Sequence, residues 1–161
     1  MPSVPFPHMM WGDIPLFSAY VLKSEARRFT RWEFDTHLGQ GHLAQPEFNE
    51  SILALSLEVT RLRVDAIGFD GSFPTLIEVK PRARLSAFGQ VLAYQYFYKL
   101  ERQVVARMMI ITDSITPDTA QLFAAHGIEV QIVEPTDQDG IIAACHIVKR
   151  ECSQRIRIPI P

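Results

Sequence analysis

Hydrophobic positions along this chain fall into segments with distinct periods. Over residues 16–29, Leu16, Phe17, Tyr20, Val21 and Phe29 recur with polar residues between them. That spacing predicts an amphipathic helix. Over 31–38 the period drops to two, with Trp32, Phe34, Thr36 and Leu38 alternating against Arg31, Glu33, Asp35 and His37. Alternation with aromatic content predicts a strand. Gly39, Gly41 and Pro46 mark a loop. Residues 51–60 fit either a strand or a short helix, through Ile52, Leu53, Leu55 and Leu57. Glu58 to Phe69 reads as a strand, Asp70-Gly71-Ser72 as a turn and 74–80 as the next strand. The two strands are expected to form a hairpin.

Pro81 ends that strand by withholding a backbone donor. Ser86 is a candidate cap for a helix that runs to about residue 100 through Phe88, Val91, Leu92, Gln95, Tyr96 and Leu100. Val104 to Thr112 is a strongly apolar strand, and Thr116-Pro117 opens another helix. Gly127 ends it, and Ile128 to Val133 is a further strand. Residues 134–140 read as a polar turn, with edge strands over 141–148 and 155–160, the last blunted by Pro159 and Pro161. The order of helix, three strands, helix, strand, helix, strand predicts an α/β protein with a mixed sheet. Its second half is expected to pair in parallel through right-handed crossovers. A single domain over 1–161 is expected, with an irregular arm (1–15) and a C-terminal extension (134–161).

Composition narrows this picture little. The apolar fraction is 47%, ordinary for a globular chain. No apolar run is long enough to span a membrane and no secretory pattern is present, so a cytoplasmic location is expected. Cys145 and Cys152 form neither a disulfide framework nor a zinc spacing, which favours a reducing compartment. The formal net charge of -2 argues against a nucleic-acid coat. It leaves nucleic acid open as a substrate, since the local field matters more than the sum. Basic residues cluster at Lys23, Arg27, Arg28 and Arg31, at Arg61 and Arg63, at Lys80, Arg82 and Arg84, and at Lys149, Arg150, Arg155 and Arg157.

The chemistry centres on Asp65 and on Glu78-Val79-Lys80. Side chains alternate along a strand, so Glu78 and Lys80 share a face while Val79 points into the core. The hairpin brings Asp65 toward them. Two carboxylates with a backbone carbonyl, here that of Val79, suffice for magnesium, which keeps several waters. Such an ion polarises a phosphodiester and acidifies a bound water. Lys80 suits the offsetting of charge in the transition state. Arg28, Arg63, Arg82 and Arg84 would then line an open groove for phosphates. His8, His37, His42, His126 and His146 show no ligand spacing, and Trp32, Tyr96 and Phe97 are expected in the core.

Arg63-Val64-Asp65 followed by Glu78-Val79-Lys80 within this element order resembles the PD-(D/E)xK nuclease superfamily, over roughly residues 16–133. The second half of the motif agrees fully. The first lacks the proline that often precedes the acid. Glu78-Val79-Lys80-Pro81 looks like small phage or mobile-element members. The resemblance implies a restriction-endonuclease-like fold, an αβββαβ core with an extra αβ, its central mixed β-sheet flanked by helices. It implies Mg2+ or Mn2+ bound by Asp65, Glu78 and the Val79 carbonyl, with Lys80 assisting hydrolysis. A further glutamate often comes from the first helix. Glu25 matches that role best, with Glu33 as the alternative. Gln90 and Tyr94, one helical turn apart, match a glutamine and tyrosine that hold the backbone phosphate or the site lysine. The implied activity is a metal-dependent DNA endonuclease, a homodimer directed by DNA structure or a protein partner. The competing readings are a non-catalytic DNA-binding or assembly module on the same fold, and a small-molecule enzyme with an enclosed pocket. DNA and RNA are not separated by the sequence.

Overall fold

The computed structural model describes residues 6, 7, 9–42 and 49–151. Among these, helix α1 spans Ile14–Val21, strand β1 Arg31–Leu38, helix α2 Glu50–Thr60, strand β2 Leu62–Asp70 and strand β3 Phe73–Val79. There follow the short strand β4 (Arg82–Ala83), helix α3 (Leu85–Arg102), strand β5 (Arg107–Thr112) and the short strand β6 (Ser114–Ile115). Helix α4 (Pro117–Ala125), strand β7 (Ile128–Ile132) and helix α5 (Gln138–Glu151) complete the order. The main sheet runs β1-β2-β3-β5-β7. β1, β2 and β3 pair antiparallel, while β3, β5 and β7 pair parallel. This is a mixed sheet flanked by helices, a restriction-endonuclease-like αβ fold.

Both faces of the sheet are covered. α1, α5 and Phe6 share one apolar cluster with Ile77, Val79, Met109 and Ile111. α3 and Phe123 of α4 share the other with Leu76, Met108 and Ile110. Successive residues of β3 and β5 thus feed opposite layers, as their period of two requires.

Five expectations are corrected. The helix expected over 16–29 stops at Val21, because Lys23 turns to an extended conformation and Ser24–Arg28 forms a separate 3-10 turn. The strand expected from Glu58 starts only at Leu62, because the 51–60 segment, open between strand and helix, is helical as α2 through Thr60. The edge strand expected at 141–148 lies within α5. There Ile141, Ala144, Cys145 and Val148 recur at helical spacing and pack on the α1 layer. α3 begins before Ser86, with Arg84 at its N-cap and no side-chain cap bond. Tyr96 is also 62% exposed rather than core, whereas Trp32 is buried as expected. The strand expected at 155–160 lies outside the described residues, as do Pro46 and Cys152.

Other features appear as the sequence predicts. β2 and β3 form the hairpin, with Ala66 opposite Ile77. Thr116 caps α4 by accepting from the Thr119 N–H, and Pro117 follows it.

β1 breaks its own alternation. The ladder with β2 runs through Phe34 and Ala66 and resumes at Thr36 and Val64, skipping Asp35. Asp35 has φ +53, the left-handed region. A side chain there costs about 1–2 kcal/mol, tolerated best by Asn and Asp. The consequence is a change of face. Trp32, Phe34 and Ala66 pack with the α1 layer, while Leu38 and Val64, at the same parity, pack with the α3 layer. Asp65, the residue between Val64 and Ala66, sits where the switch occurs.

Candidate active site

Asp65 lies one residue beyond Ala66, the last β2 residue paired with β3, and Glu78 lies one beyond Ala66's partner Ile77. The hairpin therefore brings the two acids to one level. The Val79 N–H donates to Asp65 Oδ2 at 2.8 Å, fixing the aspartate across the strand pair. Glu78 is 1% exposed, so the face it shares with Lys80 is not a solvent face. It lies under α3, where the Tyr94 hydroxyl sits 2.8 Å from Glu78 Oε2 and 2.8 Å from the Arg63 carbonyl oxygen. Lys80 Nζ lies 2.9 Å from Glu78 Oε1.

Burial and the neighbouring Glu78 push the Asp65 carboxyl up to about 7, against the opposing pull of the Val79 N–H and Lys80. Burial alone would lower the Lys80 pKa. The carboxylates of Glu78, Asp65 and Asp13 outweigh it and keep the ammonium charged. Burial and Glu78 push the Tyr94 hydroxyl far above its ordinary value, so it remains a proton donor. Gln90 stands one helical turn before Tyr94 on α3.

Asp13 is the site residue that the sequence did not single out. It is buried at the N-cap of α1, yet its side chain makes no capping bond. Burial raises its pKa, and it feels the charges of Lys80 and Glu78. The signal was present as Asp13-Ile14-Pro15, an acid before a helix-opening proline, but the segment reads as an irregular arm by composition. Glu25 sits elsewhere. It is fully exposed on the 3-10 turn, where Ser24 Oγ donates to it. Glu33 lies beside Arg31 on β1.

The basic residues divide. Arg28 is held 2.7 Å from Glu129 on β7. Arg63 Nε lies 3.0 Å from Asp35 Oδ1. Asp35 in turn lines an open groove of about 690 Å³ with Thr36, His37, Arg61, Glu101 and Arg102. Arg82 and Arg84 are exposed just after Lys80. The segment between is clamped. Lys80 N–H donates to the Ile111 carbonyl at 2.9 Å, and Asp113 N–H to the Pro81 carbonyl at 3.3 Å. The Ala83 N–H donates to Thr112 Oγ1 at 3.1 Å.

The donor set fits a hard divalent cation. Among the described residues no three His, Cys, Asp or Glu side chains converge on one point as an all-protein cage would require. Magnesium needs only one or two carboxylates and completes its shell with water and substrate phosphate. Three acids in mutual electrostatic range face one lysine, an excess of negative charge that a cation would offset. Glu78 Oε1 is buried and its contact with Lys80 lacks hydrogen-bond alignment, so acceptor capacity remains on it.

No family model and no curated protein matches the chain. Several solved structures are similar. A repair endonuclease from Pyrococcus abyssi is 29% identical over 46% of this chain and 34% of its own, with TM-score 0.42. A complex of EndoMS with double-stranded DNA is 16% identical over 81% of this chain and 48% of its own, with TM-score 0.48. EndoMS in its apo form is 27% identical over 43% of this chain and 33% of its own, with TM-score 0.39. The chain thus spans between about a third and a half of the structures named. Among the described residues no helix is long and apolar enough to cross a membrane.

Proposed function

We propose that this chain is a metal-dependent endonuclease that hydrolyses DNA phosphodiester bonds. The observation that carries the reading is the pair of half-buried Asp65 and buried Glu78 at one level of the sheet, with Lys80 Nζ 2.9 Å from Glu78. Asp65, Glu78 and the Val79 carbonyl would hold Mg2+ or Mn2+, with Asp13 as the nearby third acid in place of Glu25. Bound there, the ion would polarise the scissile phosphate and acidify a water.

The chain's own residues do the rest. Asp65 must lose its proton to bind a cation, and its raised pKa makes that step pH-dependent. Lys80 is cationic, so it stabilises negative charge on the phosphorane and orients the attacking water instead of deprotonating it. Water attacks phosphorus and releases a proton to solvent, one P–O ester bond breaks, and the leaving oxygen takes up a proton from solvent. Tyr94 acts on Glu78 from behind and not on the nucleic acid, since it is buried, and Gln90, one helical turn before it, holds the backbone phosphate or the site lysine. Arg63, Arg82 and Arg84 approach the phosphates on either side. Arg28 is committed to Glu129 and contributes little. Two strands of a duplex need two sites, so the active unit is a homodimer, placed on its target by DNA structure or a protein partner.

The test is cleavage of labelled linear duplex, single-stranded, flap and four-way-junction DNA with and without Mg2+ or Mn2+. Metal-dependent products that vanish in Asp65→Ala and Lys80→Ala are expected. Absence of cleavage of every DNA by folded wild-type protein overturns the reading in favour of a binding or assembly module.

A further inference from the structure

Met10 and Trp11 are 70% and 71% exposed. Tryptophan is highly buried on average, so an indole held in solvent is unusual. It is not a loose end of the chain. Phe6 and Met9, just before it, are inserted into the core beside Phe17 and Phe34. Directly after it, Asp13 N–H and Ile14 N–H donate to the Met10 carbonyl at 2.9 and 3.2 Å, closing a turn that leads into α1. The chain is thus pinned on both sides of a protruding Met-Trp pair. The space around Gly12 is open, with nothing within 4 Å of where a Cβ would sit.

Position gives this turn its meaning. Trp11 is two residues from Asp13, so their Cα atoms are at most about 7 Å apart. Asp13 is buried in electrostatic range of Glu78 and Lys80. An exposed indole two residues before that acid has a large flat apolar face to offer. A base still in a duplex is stacked on both sides and cannot take it up, whereas an unpaired base can.

We infer that Trp11 is a stacking platform for an unpaired base of the nucleic-acid strand beside the site. Met10 flanks the platform as a flexible apolar wall. The inference rests on the nuclease reading and narrows its substrate to DNA with a single-stranded or opened stretch at the site.

Indole fluorescence tests it without cleavage. The chain has two tryptophans, and Trp32 is buried at 4% exposure, so quenching on binding reports Trp11. The full chain is titrated in EDTA with a twenty-nucleotide oligothymidylate and with an abasic oligomer of the same length. Binding is followed in parallel by anisotropy of a labelled copy. The oligothymidylate should quench and red- or blue-shift the exposed indole, and the abasic oligomer should bind at least about tenfold more weakly. Trp11→Ala should lose about tenfold in oligothymidylate affinity, and Trp11→Phe should recover most of it, since either ring offers a face. Retained Trp32 emission confirms that the variants fold. Equal affinity of Trp11→Ala and wild type, equal quenching by the abasic oligomer, or no binding of oligothymidylate overturns the inference. The two readings separate cleanly. Stacking without metal-dependent cleavage sinks the nuclease alone, and normal single-strand cleavage by Trp11→Ala sinks the platform alone.

Discussion

The Tyr94 hydroxyl stands 2.8 Å from Glu78 Oε2 and 2.8 Å from the carbonyl oxygen of Arg63. Both are acceptors and the hydroxyl carries one proton, so β2 and β3 share a single donor from α3. Arg63 is two residues before Asp65. One buried side chain therefore ties together the strands that carry the two acids.

Tyr94→Phe keeps the ring in the core and removes only that donor. The expected cost in stability is about 1–3 kcal/mol, for two buried acceptors left short of a partner. Cleavage should fall by about 10- to 100-fold through kcat, as for other groups that orient a metal ligand, with KM for DNA little changed. Urea unfolding and steady-state kinetics check the two halves separately.

Asp65 gives stability a defined pH dependence. Its folded-state pKa of about 7 stands above the ordinary 3.8, so between those values the folded protein keeps a proton that the unfolded chain has lost. Metal-free stability must then fall as pH rises from about 4 to about 7. At about 1.4 kcal/mol per pH unit the loss attributable to Asp65 is at most about 4 kcal/mol. Asp65→Asn, which has no such proton to lose, should gain on wild type across that window. Thermal unfolding in EDTA at pH 4.5 and pH 8 checks the sign.

Thr112 sits under the segment that leaves the site. Its Oγ1 accepts from the Ala83 N–H and lies 3.2 Å from the Pro81 carbonyl and 2.9 Å from that of Ser114. Thr112→Val preserves shape and removes those bonds, at an expected cost of about 1–3 kcal/mol. Loosening of the chain just after Lys80 should lower cleavage more than DNA binding. Kinetics beside anisotropy on the same DNA decide it.

Gly68 marks a close approach on β2. A Cβ there would lie 2.7 Å from Phe29 Cδ1, inside contact distance of a buried ring. Gly68→Ala should destabilise by about 1–3 kcal/mol through overpacking. The pairing Gly68→Ala with Phe29→Leu should recover part of the loss in urea unfolding.

The legible part of this chain is where pattern and period are local. Asp70-Gly71-Ser72 with its flanking β-branched and apolar residues predicts the hairpin, and the hairpin alone places Asp65 beside Glu78. The parity of Glu78 and Lys80 follows from the strand period. Burial of Glu78 does not, because it depends on α3 crossing that face and delivering Tyr94. Asp13 comes to the site through the docking of α1, a tertiary event with only a weak helix-start signal. The match of Glu25 to a first-helix glutamate needs one continuous helix from 16 to 29, and the break at Lys23 leaves Glu25 exposed on the 3-10 turn. The period of α5 was readable in Ile141, Ala144, Cys145 and Val148, but a short apolar run is ambiguous between strand and helix. The face switch at Asp35 has no counterpart in the hydrophobic pattern, since Trp32, Phe34 and Leu38 keep perfect alternation while serving different layers.

The central claim is that Asp65 and Glu78 form a divalent cation site. Mn2+ titrated into the metal-free chain at pH 8, with the free ion followed by electron paramagnetic resonance, tests it most directly. Saturable binding that is lost in both Asp65→Asn and Glu78→Gln, and kept in Glu25→Gln, is the predicted result. Undiminished binding in the Asp65 and Glu78 variants, or no binding by the folded wild type, would contradict the account.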